Sequence, residues 1–264
     1  TAASSGSDLN GAAVKAACET LRGRLAEVAA AKLGGVDASA LRFSGGQIAA
    51  PDGPSVPFAE AVDAAYMQQV SLSAAGFYRT PGLGYDKSKG QGKPFFYFTF
   101  GAAVTEVEVD GWSGMKRVRR VDILHDVGES LNPGVDRGQI EGGFVQGMGW
   151  LTGEELKWDR AGRLLTHSAS TYQIPSIGDV PPVFRVELLP RAAQPGVIHG
   201  SKAVGEPPLM LALAVREAIR DAIAAFGAPG GAVELPSPAT HEAIFLAVQR
   251  RLAQGPAGEL SAAP

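Results

Sequence analysis

The chain has 264 residues, 45% of them hydrophobic, with 24 basic and 27 acidic side chains and a formal charge of −3, enough apolar content for a substantial core in one large domain or two smaller lobes. The near balance of charge leaves no basic stripe for nucleic acid, because the run Lys116, Arg117, Arg119 and Arg120 alternates with Val118 and Val121 as the wet face of a strand would. No apolar run approaches the ~20 residues that span a bilayer, and the N-terminus lacks the charged-then-apolar build of a secretory signal, so a soluble, cytoplasmic protein with no membrane partner is expected.

In chain order, Thr1-Ala-Ala-Ser-Ser-Gly-Ser7 is a run of small residues that composition alone reads as a cap and frayed end. A helix is predicted next, from Val14, Cys18, Leu21, Leu25 and Val28 at spacings of three and four. Cys18 is the only cysteine, which excludes an internal disulfide and any thiolate-built zinc or iron-sulfur site, and it reads as packed in that helix. Residues 33–57, rich in Gly, Pro and Ser, read as a loop or insertion. Phe58, Val62, Tyr66 and Val70 predict a second short helix. Gly90-Gln-Gly-Lys93 lacks the upstream glycine spacing and the following Ser or Thr of a phosphate loop. Thr105, Val107 and Val109 alternate with Glu106, Glu108 and Asp110; a turn at Asp110–Gly114 then leads to Val121 and Ile123 on a returning strand, which makes a hairpin. Helices near 137–150 and 208–226 flank a strand-like Phe184–Leu189. Hairpins and packed helices without regular βαβ alternation argue for an α+β fold. It should occupy residues 1–254 as two lobes, with 255–264 a disordered tail.

The four histidines, His125, His167, His199 and His241, show no local metal-ligand spacing, so any metal is expected to arrive carried by an organic cofactor. Two segments have the composition of a site. Gly138 to Trp150 puts Ile140, Phe144 and Met148 on one helical edge yet contains five glycines, each costing roughly 1 kcal/mol of helix propensity relative to alanine. Something must press against this helix. It is either another helix, with the glutamines at its rim, or a flat ligand facing Gln139 and Gln146, which share one side with Gly142 and Gly143 between them. In Gly200-Ser-Lys-Ala-Val-Gly-Glu-Pro-Pro-Leu209, Pro207 and Pro208 suit a helix's first turn, followed by a stripe of Leu211, Val215, Ile219, Ala222, Ile223 and Phe226 before Gly227. Glu206 therefore stands just ahead of a helix start. It is either an ordinary glutamate interacting with the helix dipole or a base kept available in a cleft.

Taken together these motifs resemble the molybdenum hydroxylase family, and within it the xanthine dehydrogenases. The matching residues are Thr1-Ala-Ala-Ser4, Ser7-Asp-Leu-Asn-Gly11, Gly76-Phe-Tyr-Arg-Thr-Pro81, Asp126-Val-Gly128, Leu131-Asn-Pro133, Gly138-Gln-Ile-Glu-Gly142, Phe144-Val-Gln-Gly147, Ser170-Thr-Tyr172 and Ser201 to Leu209. They run in order across most of the chain. The most specific pairing is Gly-Glu-Pro-Pro with the glutamine-glycine helix upstream.

The resemblance implies a molybdenum held by a pyranopterin (molybdopterin) cofactor, with Glu206 as the general base that takes a proton from the hydroxyl attacking an electron-poor ring carbon. It places Gln139 against the cofactor, and Ala2, Ala3, Ser4, Ser5, Gly6 and Ser7 beside the molybdenum and pterin, with Ala3 adjacent to the metal but not a side-chain ligand. The implied reaction is oxidative hydroxylation of hypoxanthine and xanthine to urate, with electrons passed to iron-sulfur and FAD centres in partner domains or a partner subunit and on to NAD. The resemblance further implies a fragment of a larger subunit, completed by upstream segments that carry another cofactor glutamine and the substrate-binding residues, in a dimer of heterodimers. An aldehyde oxidase-type hydroxylase shares the cofactor and the glutamate, and a non-catalytic assembly domain is the alternative from another class. The 76–84 and 95–110 stretches resemble xanthine dehydrogenases more closely.

Overall fold

In the computed structural model, which describes residues 3–254, helical winding begins with a 3-10 turn at Ala3–Ser5 and a π-helical turn at Ser7–Gly11 that run into α1, Ala12–Lys32. From Ala3 to Ser7 the small-residue run is thus wound helix rather than a frayed end. Just beyond the run a glycine allows close approach: a Cβ on Gly11 would meet Ile198 at 3.1 Å. The apolar stripe on α1 holds only in its second half. Leu25 and Val28 are buried, but Val14 is 62% exposed and Cys18 is exposed rather than packed. Along the first half the chain at Gly76 lies against backbone: a Cβ there would be 1.8 Å from Ala13 O and 2.8 Å from Ala17 N. Alanine faces, not the larger residues, take this contact.

The stretch expected to be loop instead forms a three-stranded antiparallel sheet of β1 (Arg42–Ser44), β2 (Gln47–Ala49) and β3 (Ser55–Pro57). Gly45 and Gly46 have φ of 56° and 73°, the pair of positive values a two-residue hairpin turn needs to match strand twist. Leu41, Ile48 and Val56 then pack with Ala26, Ala29, Ala30 and Ala61 as a core. α2 (Phe58–Met67) forms where expected, but it buries Ala61 and Ala65 and leaves Phe58 and Tyr66 exposed. Gly84–Asp86 (β4) and Gln91–Lys93 (β5) pair as a small hairpin. These elements belong to a first compact unit, residues up to Phe96 with Gly196–Ile198.

The second unit, Tyr97–Pro195 with His199 onward, is built on a sheet of order β6 (Gly101–Val109), β7 (Lys116–His125), β8 (Val183–Leu188). The predicted hairpin is β6–β7, with Thr105 opposite Val121 and Ala103 opposite Ile123. A bulge between Glu106 and Val107 leaves Arg119 without a partner in the register, so Arg119 and Arg120 both face solvent, pairing with Glu108 at 3.5 Å and Asp122 at 2.5 Å. β8 runs parallel to β7, and α3 (Pro133–Thr152) connects them. Asn132 starts α3 by accepting hydrogen bonds from the Gly134 and Val135 amides. Ile140, Phe144 and Met148 bury as predicted.

Pro207–Ala212 winds as a 3-10 turn, and α4, Leu213–Ala224, follows it. The α-helix expected directly after Glu206 thus begins later, because two consecutive prolines lack amides and the first available bond is Leu209 N donating to Glu206 O at 3.0 Å. Val215, Ile219 and Ile223 bury fully in the predicted stripe. α5, His241–Ala253, is capped by the Thr240 hydroxyl and contributes Ile244, Ala247 and Val248 to the same core. The architecture is α+β. Ala2 and the expected tail at 255–264 lie outside the described residues.

Candidate functional site

The glycines of α3 fall into two groups that periodicity could not separate. Gly143, Gly147 and Gly149 are buried. A Cβ on Gly143 would meet Gly205 O at 3.0 Å and Pro208 at 3.2 Å, and one on Gly147 would lie 2.4 Å from Leu209 O and 2.8 Å from Ala212. Gly143 and Gly147 let the backbone of Gly205–Ala212 seat directly on α3, while Gly149 faces Glu154 and Pro175. At Gly138 and Gly142 an added Cβ would meet nothing within 4 Å. Gly142 is exposed, as are Gln139 and Gln146. Helix packing therefore accounts for one group, while the glutamines share their open edge with the other. Gly143, which the sequence placed between the glutamines, belongs to the packed side.

Glu206 stands on the segment that this packing fixes. Gly205 and Pro208, the residues on either side of it and Pro207, are the ones pressed on Gly143. Gln139 lies one turn before Gly143, about 6 Å along the helix axis. The structure thus brings the elements carrying Gln139 and Glu206 into direct contact, with the Glu206 side chain exposed.

Upstream, Ser201–Ala203 is tied to the end of β7. Lys202 N donates to Val127 O at 2.8 Å, Glu129 N to Gly200 O at 2.8 Å, and Ala203 N to the Tyr97 hydroxyl at 2.8 Å. Gly128 has φ of 64°, and a Cβ on it would be 2.4 Å from Gly200 O, so this crossing requires glycine. The Lys202 ammonium lies 2.5 Å from Asp126 Oδ2 and donates to Phe98 O at 2.9 Å, with side chains only 8% and 2% exposed. Its charge also sits 5.9 Å from the Tyr97 ring and 5.6 Å from the Phe100 ring. Asp126 Oδ1 accepts from Gly128 N at 2.9 Å. Both residues fall in matched motifs, but nothing local linked them: they are 76 positions apart.

In the first unit, Ser4, Ser5, Gly6 and Ser7 are half-buried in the opening helical turns, and Gly6 has ordinary helical φ and ψ of −62° and −45°. A π-type turn such as Ser7–Gly11 is uncommon in soluble proteins and concentrates at functional sites. Ala3 lies in the first 3-10 turn.

The second unit also holds a cavity of about 450 Å3 at the far end of α3, lined by Lys116, Met148, Thr152, Asp179 and His241 among others. Neither Gln139 nor Glu206 lines it. Burial pulls the Lys116 amine down, opposed by Asp179, and pulls the His241 imidazole down, reinforced by Lys116. No group of three or more His, Cys, Asp or Glu side chains among the described residues could hold a metal ion.

A family described as the molybdopterin cofactor-binding domain matches residues 1–181. The chain is 46% identical over 257 residues to a xanthine dehydrogenase of Oryza sativa subsp. japonica, covering 94% of this chain and 17% of that protein. It is 45% identical over 249 residues to a xanthine dehydrogenase/oxidase of Rattus norvegicus, covering 92% and 17%. The chain thus spans about a sixth of the length of these relatives. Among solved structures, quinoline 2-oxidoreductase from Pseudomonas putida 86 superposes with a TM-score of 0.75 at 26% identity, over 93% of this chain and 30% of that one.

Proposed function

The chain belongs to the molybdopterin cofactor-binding domain family of the molybdenum hydroxylases, and from that premise we propose that it is the C-terminal part of a xanthine dehydrogenase molybdenum subunit in which Glu206 is the general base. The observation that carries this reading is the seating of Gly205–Ala212 on the glycines of α3, which holds the Glu206 backbone beside the helix bearing Gln139. The purine reading, hypoxanthine and xanthine to urate, rests on the two xanthine dehydrogenase-type relatives at 45–46% identity.

The residues fit the cofactor this family implies. Exposed carboxamides of Gln139 and Gln146 beside the open backbone of Gly142 offer donors and acceptors next to a smooth surface, a set suited to a flat, anionic, heteroatom-rich group. We assign Gln139 to hold it, together with Ala2, Ala3, Ser4, Ser5, Gly6 and Ser7, with Ala3 nearest the metal. When bound, the molybdenum-pterin group supplies the acceptor for the two electrons removed from substrate. Glu206 supplies the complementary part: a carboxylate oxygen takes the proton released as the oxygen of water bonds to an electron-poor ring carbon, whose C–H bond breaks with its electron pair passing to that acceptor and its hydrogen ending as a second proton. Iron-sulfur and FAD centres in partner domains or a partner subunit, NAD as final acceptor, a dimer of heterodimers and a cytoplasmic location belong to the same proposal.

Glu206→Gln tests it. The substitution keeps size and hydrogen bonding but cannot accept a proton, and loss of a general base costs a factor of ~10²–10⁴. The expected result is a folded, molybdenum-replete protein whose reduction by xanthine in rapid mixing is slowed at least about a hundredfold. A rate within a few-fold of the unmutated protein, normalised to metal content, would remove Glu206 from the chemistry.

A further inference from the structure

Resting on the assignment of Glu206 as base, we propose that Lys202, through its buried pairing with Asp126, is a positioning residue that fixes where the Glu206 carboxylate stands. A buried ion pair is weak grounds for a stability role, since apolar replacements of similar volume often serve the fold as well. What it does fix is location. Lys202 is held at its side-chain end by Asp126 Oδ2 at 2.5 Å and Phe98 O at 2.9 Å, and at its backbone by Val127 O at 2.8 Å. The amide of the next residue, Ala203, is held by the Tyr97 hydroxyl. Asp126 is anchored in turn by the Gly128 amide, and Gly128 is the residue over which Gly200 and Ser201 cross.

Downstream the chain is clamped again where Gly205 and Pro208 meet Gly143. Only Val204, Glu206 and Pro207 lie between these anchors, so the exposed Glu206 side chain projects from backbone held on both sides. Slack at the upstream clamp would reach the carboxylate through Val204 and Gly205, with only the Gly205 contact on Gly143 to resist it. Proton transfer depends steeply on such placement, and a misplacement of about 1 Å can cost about a hundredfold.

The test uses the full molybdenum-loaded protein carrying Asp126→Asn, which is isosteric and keeps an oxygen for the Gly128 amide, and Lys202→Arg, which keeps the charge but cannot occupy the ammonium's place. Glu206→Gln serves as the parallel reference. Rapid-mixing reduction by xanthine is expected to show a limiting rate about tenfold or more lower per molybdenum, with the half-saturating concentration nearly unchanged. Hydrogen exchange on the cofactor-free protein, which does not depend on activity, is expected to quicken at residues 201–206 while α4 amides keep their protection. If Glu206→Gln is slow but both pair variants keep normal rates and normal exchange at 201–206, the positioning role is overturned and the base assignment stands. If Glu206→Gln itself reacts normally, the base assignment fails, and the exchange result alone decides whether the pair holds the loop. Loosening throughout the second unit, or failure of both variants to fold, overturns the proposal by making the pair a general requirement of the core.

Discussion

His125 sits at the end of β7, fully buried beside Asp126, and burial holds its imidazole below the ordinary histidine range, with Asp126 pulling the other way. His241 is displaced in the same direction, by burial and then by Lys116. A base whose folded value is depressed binds fewer protons than the unfolded chain between that value and about 6.5. The stability contributed by the neutral ring is therefore fully present above about pH 6.5 and is lost as pH falls through that window. The denaturation midpoint is expected to drop from pH 7 toward pH 5, with a shallower drop in His125→Phe; identical slopes would count against a buried neutral imidazole. Gln139 is the opposite kind of residue, exposed on the open edge of α3. Gln139→Ala should lower molybdenum content or turnover in the loaded protein while leaving the unfolding temperature within about 1 °C, as surface substitutions generally do. Normal metal content with normal turnover would show that this edge of α3 faces no cofactor. Glu206 and Gln139 stand out in the sequence as candidates because each sits inside a dense local motif. The Lys202–Asp126 pair does not, because tertiary folding alone joins two segments 76 residues apart.

At the scale of elements, α3 carries a contrast between two glycines with identical sequence credentials. Replacing either with alanine returns up to about 1 kcal/mol of helix propensity. At Gly142 nothing opposes that gain, because the added Cβ meets open space. At Gly147 the Cβ would press on Leu209 O and Ala212, an overpacking that typically costs about 1–3 kcal/mol and more when backbone must move. Gly142→Ala should therefore stabilise the protein and Gly147→Ala destabilise it, as read by denaturant midpoints at constant slope; equal shifts would mean the 3-10 segment does not seat on α3. The same distinction explains which elements were legible. α3 and α4 bury large apolar residues at a clean period of four, while β6 alternates by two and β7 does so on either side of its bulge. β1–β3 are three residues each, too short for a period to outweigh the surrounding Gly and Pro, and α1 in its first half and α2 expose the large residues Val14, Phe58 and Tyr66 that marked them. α5 went unread although Thr240 followed by Ile244 and Val248 carried a cap and a spacing of four.

At the scale of the whole molecule, the chain corresponds to about a sixth of the length of its relatives, and its exposed surface is consistent with that share. Phe77, Phe98, Phe100, Trp112 and Ile177 are all more than 60% exposed, large apolar side chains of the kind that a neighbouring surface covers. The proposed cofactor edge has the same unfinished character: Gln139, Gly142 and Gln146 present one polar wall. Sites for cofactors of this size are concave and bury ~70–90% of the ligand's surface. One wall leaves most of the ligand in water, where each hydrogen bond to it competes with solvent and returns little net free energy. The 264 residues expressed alone should therefore fold around the β6–β8 core yet fail to retain molybdenum or pterin through gel filtration, whereas the full-length protein should carry both. Metal analysis of the isolated chain decides the matter: stoichiometric molybdenum would mean that these residues enclose the cofactor without the rest of the subunit.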